Sequence, residues 1–173
     1  MTINSYMAAM VRDDGALAPA DLIAGFEQCA DDLRAAVAGM TPEQILARPV
    51  LGKWSTLELV THVADTDIYF TDRIERTIAL DRPLLIGVDE RPYPARLNYQ
   101  AFDFAEELVL FTTLRRRTAR ILRLQPAEAW VRTAVHTETG LVTLRQLVLQ
   151  ATRHARHHLP FIAEKRAALA AQS

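Results

Sequence analysis

The chain has 173 residues, half of them apolar, and its Lys and Arg balance Asp and Glu to a net charge of −1. That length can bury one good core and is short for two; the interspersed charges offer no electrostatic track for nucleic acid, and no stretch is apolar enough to cross a membrane. The start, MTINSYMAAMVRDDG, lacks a basic segment followed by an apolar run, and the single cysteine, Cys29, has no internal disulfide partner, so a cytoplasmic protein is expected.

Residues 1–17 read as an N-terminal arm and residues 18–170 as one helical domain. A first helix is expected from Pro19 to Ala38, with Leu22, Ile23, Phe26, Leu33 and Val37 as its apolar stripe and Gly39 as its stop. Thr41-Pro42-Glu43-Gln44 has a Thr cap, Pro at the first helical position and Gln three after the cap, so a short helix starts there and ends at Pro49. Ser55 and Glu58 form a second capping box, opening a long helix to about Leu80. Its stripe is Leu59, Val63, Phe70 and Ile74, with His62 and Thr66 along one flank. Asp67 interrupts the apolar region on the other side, with Asp65 close by; a polar break of this kind costs stability unless it is paired or binds something.

From Asp81 to Leu97 the prolines at 83, 92 and 94 predict a structured loop, in which Asp89 and Glu90 are placed to face a site. A third long helix is expected over Tyr99 to Leu124, carried by Phe104, Leu108, Phe111, Leu114, Ile121 and Leu122. Within it Arg115 to Arg117 form the one basic cluster, read as a solvated helix face. Trp130 to Val142 loses helical periodicity and predicts an extended or hairpin-like excursion. Thr143 and Gln146 then cap the last helix.

That helix carries RHARHHLP, residues 153–160. Leu144, Leu147, Ala151, His154, His158 and Phe161 follow steps of three and four, the seam of a packed helix. At about 100° per residue, His158 lies about 40° from His154 on one face, while His157 falls to the side. Two imidazoles at i, i+4 can grip one metal ion from adjacent turns, and His62 is the candidate third ligand. Pro160 is expected to bend the axis just past His158. Four long helical segments predict an all-α fold, a four-helix bundle with a short extra helix and a small non-helical excursion before the last helix.

These segments resemble the DinB-like superfamily and, within it, the YfiT-like metal-dependent hydrolases. KWSTLELVTHVADTDIYFTDRI is similar to the family's tryptophan, capped helix, histidine, Ala-Asp pair and arginine, here Trp54, His62, Ala64-Asp65 and Arg73. GVDERPY resembles its Asp-Glu loop, with Tyr93 where tryptophan is usual. WVRTAVHTETG resembles its segment of arginine, histidine, acidic residue and glycine, here Arg132, His136, Glu138 and Gly140, with Thr137 replacing a common proline. HARHHLPFI is similar to its His-x-x-His-His. Pro160 departs from the usual pattern, and Asp67 stands where relatives can carry histidine.

The resemblance implies a DinB/YfiT-like bundle and a divalent ion on His62, His154 and His158: zinc or nickel first, with iron or manganese on the same ligand type. Three neutral imidazoles leave such an ion an open position, as in a catalytic site. One implied reaction is hydrolysis by metal-activated water, with Asp65, Asp89 or His136 assisting proton transfer. Others are transfer of a low-molecular-weight bacterial thiol to an electrophile, and a non-enzymatic metal- or ligand-binding bundle. The expected partner is a small-molecule substrate, with neither nucleic acid nor membrane, and a homodimer is compatible with an α-bundle.

Overall fold

The structure, a computed structural model, describes residues 10–13 and 15–171, so most of the arm expected over residues 1–17 lies outside the described residues. Four long helices form a bundle: α1 (Pro19–Val37), α3 (Thr56–Ala79), α5 (Phe104–Arg123) and α6 (Leu144–Ala170). Short helices α2 (Pro42–Leu46) and α4 (Tyr93–Arg96) sit in the connections, and strands β1 (Leu84–Leu85), β2 (Thr133–His136) and β3 (Gly140–Thr143) make a small sheet. Capping boxes start α2, α3 and α6: Thr41 with Gln44, Ser55 with Glu58, and Thr143 with Gln146 each satisfy two orphan backbone N–H groups.

The principal contacts pair α1 with α5 and α6, and α3 with the same two helices. Around the bundle the order is therefore α1, α5, α3, α6, so the first two long helices, α1 and α3, lie diagonally. The long connections make this order possible, because a short turn joins only adjacent antiparallel helices. It sets α3 directly against α6.

β1 pairs in parallel with β2, and β2 antiparallel with β3, with Leu85 opposite His136 and His136 opposite Gly140. The expected excursion is thus a hairpin, although Trp130 belongs to the 3-10 turn Ala127–Val131 that precedes it. Alternation along β2 buries Ala134 and His136 and turns Val135 outward.

Three expectations are corrected. The third helix does not begin at Tyr99: a 3-10 turn, Tyr99–Ala101, is followed by a break, and Asp103 caps α5 by accepting the N–H groups of Ala105 and Glu106. Asp103 was hidden because Phe102 and Phe104 continue the apolar pattern across it. The loop from Asp81 to Leu97 contains β1 and the one-turn α4. Arg115 is not on a solvated face: it is 1% exposed and ion-paired to Asp67. As expected, Pro160 lies within α6, and it sits on the exposed side. The inward seam of α6 also drifts, since Ala155 and Ile162 are buried where His154 and Phe161 are half-buried.

Candidate metal centre

His62 lies in the second turn of α3, and His154 and His158 in successive turns of α6. Because α3 and α6 are neighbours, the three rings meet: His62 stands 5.3 Å from His154 and 4.8 Å from His158 between centroids, and His154 stands 4.7 Å from His158. One nitrogen from each ring lies within 4.8 Å of the other two. The Nε2 atoms of His154 and His158 are 3.2 Å apart. Two ligands of a tetrahedral ion with bonds of about 2.0–2.1 Å are separated by about 3.3 Å, so this pair already has the spacing of two ligands to one ion.

Protonation states agree with ligation. Burial pushes the His62 imidazole down from 6.5 to about 4 and the His158 imidazole to about 3, and burial, reinforced by the adjacent His158 and His62 rings and by Arg115, pushes His154 well down. At neutral pH all three are uncharged and keep a lone pair for a metal. Thr66 favours one tautomer of His154. Its hydroxyl lies 2.9 Å from the His62 carbonyl and 3.0 Å from the Val63 carbonyl, where its single proton is donated, and 3.4 Å from His154 Nδ1. The hydroxyl oxygen is left to accept from Nδ1–H, which puts the lone pair of His154 on Nε2. His62 Nδ1 and His158 Nδ1 are buried without partners among the described residues. Three converging imidazoles with a close Nε2 pair fit a metal ion better than an apolar core, where each unmet polar atom costs about 1–3 kcal/mol.

Behind the rings Arg115 joins three helices. Its Nε donates to Asp67 of α3 at 3.0 Å, its Nη1 to the Phe26 carbonyl of α1 at 3.2 Å, and its Nη2 to the Ala151 carbonyl of α6 at 2.9 Å. Nη2 also stands 2.7 Å from the other Asp67 oxygen, and the guanidinium lies 4.1 Å over the Phe26 ring. Asp67 follows Thr66, and Ala151 precedes His154 by one turn. The polar break of α3 is thus paired, one residue from the side chain that orients His154.

In front of the rings opens a cavity of about 570 Å³. Trp54 and Phe70 form part of its apolar wall, with ring centroids 5.0 Å from His62 and 5.8 Å from His154 respectively. His136, at the end of β2, and Asp89 line it. Asp89 is exposed, and Arg91, at 2.7 Å, holds its carboxyl below the usual range. Asp65 is not in the lining; it accepts the Tyr99 hydroxyl instead. His157 is exposed, its ring 5.3 Å from that of His158. The lining also contains Tyr69, Arg73, Glu138 and Gln150, which sequence reasoning gave no role in the site. Helical spacing carried a signal for two of them: Arg73 is eleven residues after His62 and Gln150 four before His154, each on its histidine's face.

The DinB superfamily family model matches residues 25–162. A candidate metal-dependent hydrolase by name from Geobacillus thermodenitrificans is 28% identical over 138 residues, covering 79% of this chain and 77% of the relative. YfiT of Bacillus subtilis, named in the same way, is 24% identical over 139 residues, covering 80% and 78%. The solved structure of YfiT, described as a candidate metal-dependent hydrolase with an unusual four-helix bundle topology, superposes with a TM-score of 0.82 at 21% identity, covering 92% of this chain and 93% of that one. That likeness shows a common fold, and the diagonal placement of α1 and α3 is how the present bundle departs from a simple up-and-down order. With most of its length, the three histidines included, inside the family match, the chain belongs to the DinB superfamily.

Proposed function

We propose that this chain is a metal-dependent hydrolase of small molecules whose divalent ion is held by His62, His154 and His158. The observation that carries the reading is the meeting of three uncharged imidazoles at the floor of one cavity, with two Nε2 atoms 3.2 Å apart. An ion bound there supplies Lewis acidity towards water or a substrate oxygen, and zinc or nickel is the first choice among ions that imidazole binds.

The chain's own residues do the rest. Thr66 holds His154 with its lone pair on Nε2. Trp54 and Phe70 line the floor with apolar surface and limit the water that reaches it, which strengthens electrostatic interactions there. Asp89, kept ionised by Arg91, is the proton acceptor in this reading. Asp65, engaged by Tyr99, anchors the 99–101 turn. His136, whose Nδ1 accepts the Glu138 backbone N–H, acts as a hydrogen-bond donor through Nε2.

The test is a panel of simple esters and amides, offered to metal-loaded protein without added thiol. Turnover that falls to background in His62→Ala supports hydrolysis. Turnover that requires both a thiol and an electrophile moves the chain to thiol transfer, and inactivity in both panels overturns the enzymatic reading.

A further inference from the structure

His136 is 3% exposed, yet one of its nitrogens is unused. Its Nδ1 accepts the backbone N–H of Glu138 at 3.2 Å. A neutral imidazole that accepts through Nδ1 carries its proton on Nε2, and Nε2 is buried without a partner among the described residues. The ring is neutral, since burial and the nearby Arg73 charge both lower its pKa. His136 is therefore a fixed hydrogen-bond donor in the cavity lining.

Arg73 lines the same cavity. It is half-buried, donates through Nη2 to the Ile86 carbonyl at 2.9 Å, and its guanidinium stands 5.8 Å from the Phe70 ring centre. Among the described residues it belongs to none of the ion pairs within 4.0 Å. The carboxylates that bear on it most are Glu138 and Glu90. Glu138 does not close on it; its side chain is laid over Gly87, where an added Cβ would stand 2.5 Å from the Glu138 Cδ. A partly buried guanidinium keeps four further N–H donors in a planar fork, the arrangement that suits a two-oxygen anion.

We propose that Arg73 and His136 form a carboxylate-binding subsite beside the three histidines, and that the substrate carries a carboxylate next to an apolar body that lies on Trp54, Phe70 and Val88. This rests on the reading of the cavity as an enzyme's substrate site, but the subsite needs no metal to bind its ligand. Glu90 and Glu138 at the rim work against a second carboxylate, so the ligand is a monoanion.

The experiment compares 3-phenylpropanoate with 3-phenylpropanamide by calorimetry on the full chain stripped of metal, so that the carboxylate cannot ligate an ion. The carboxylate is expected to bind more tightly, by about ten- to a hundredfold, as for one or two charge-assisted hydrogen bonds. Arg73→Gln removes that preference, Arg73→Lys restores part of it, and His136→Phe weakens it. Equal binding of acid and amide, or a preference that survives Arg73→Gln in a folded protein, overturns the subsite. His158→Ala separates the two proposals: it abolishes metal uptake if the three-histidine reading holds and leaves the carboxylate preference in place if the subsite exists.

Discussion

At the residue scale the site depends on three imidazoles kept neutral and aimed. Thr66 aims His154: with its hydroxyl proton given to a carbonyl of the helix behind it, its oxygen accepts from Nδ1. Thr66→Val, which keeps the shape and removes the acceptor, is expected to lower metal affinity by about tenfold, as loss of a ligand's outer partner does; titration with a chromophoric chelator checks it. The neutral state has a consequence for pH. In metal-free protein His62 and His158 titrate at about 4 and about 3 when folded against 6.5 when unfolded. The unfolded chain takes up the protons first, so stability is full above pH 6.5 and falls as pH drops towards 3, by up to about 1.4 kcal/mol per pH unit for each histidine. Denaturant unfolding at pH 7, 6 and 5 should show that fall in the wild type and a shallower one in His158→Leu. An equal slope in both contradicts the buried neutral imidazole. The i, i+4 spacing of His154 and His158 was legible in the sequence as two polar residues in an apolar seam. The tautomers were not, because they depend on atoms of α3 and of the hairpin that only the fold brings near.

At the element scale, helix starts with capping boxes were read correctly because the signal is local: Ser55 and Glu58, or Thr143 and Gln146, satisfy each other within one turn. Arg115 was misread for the opposite reason. Its neighbours Arg116 and Arg117 are exposed, and its partners Asp67, Phe26 and Ala151 lie 36 to 89 residues away along the chain. It ties α1, α3 and α5 to α6 immediately behind the metal centre. Arg115→Met leaves Asp67 buried and unpaired and should cost about 3–5 kcal/mol, whereas Arg115→Met with Asp67→Leu removes both charges and should recover much of that loss. Equilibrium unfolding of the single and double variants decides between this clamp and two independent contributions, which would simply add.

At the scale of the whole molecule, the core is two apolar clusters with a polar layer where they meet. One cluster gathers Phe26, Ile74, Leu122, Leu144 and Leu147, and the other Leu33, Val60, Val63, Phe111 and Ile162. On each of three helices polar residues lie between the two: Thr66 and Asp67 on α3, Arg115 on α5, and Thr152 on α6 beside His154. The bundle could be predicted from stripe lengths and connections, since those follow from periodicity along one chain. Helix order could not, and the order α1, α5, α3, α6 is what sets His62 opposite His154 and His158. The most direct measurement is the metal content of protein purified without a metal-binding tag, for the wild type and for His154→Ala. About one divalent ion per chain is expected in the wild type and its loss in the variant, because two remaining imidazoles make an incomplete site. No metal in the wild type under metal-replete expression, or the same content in both proteins, would contradict it.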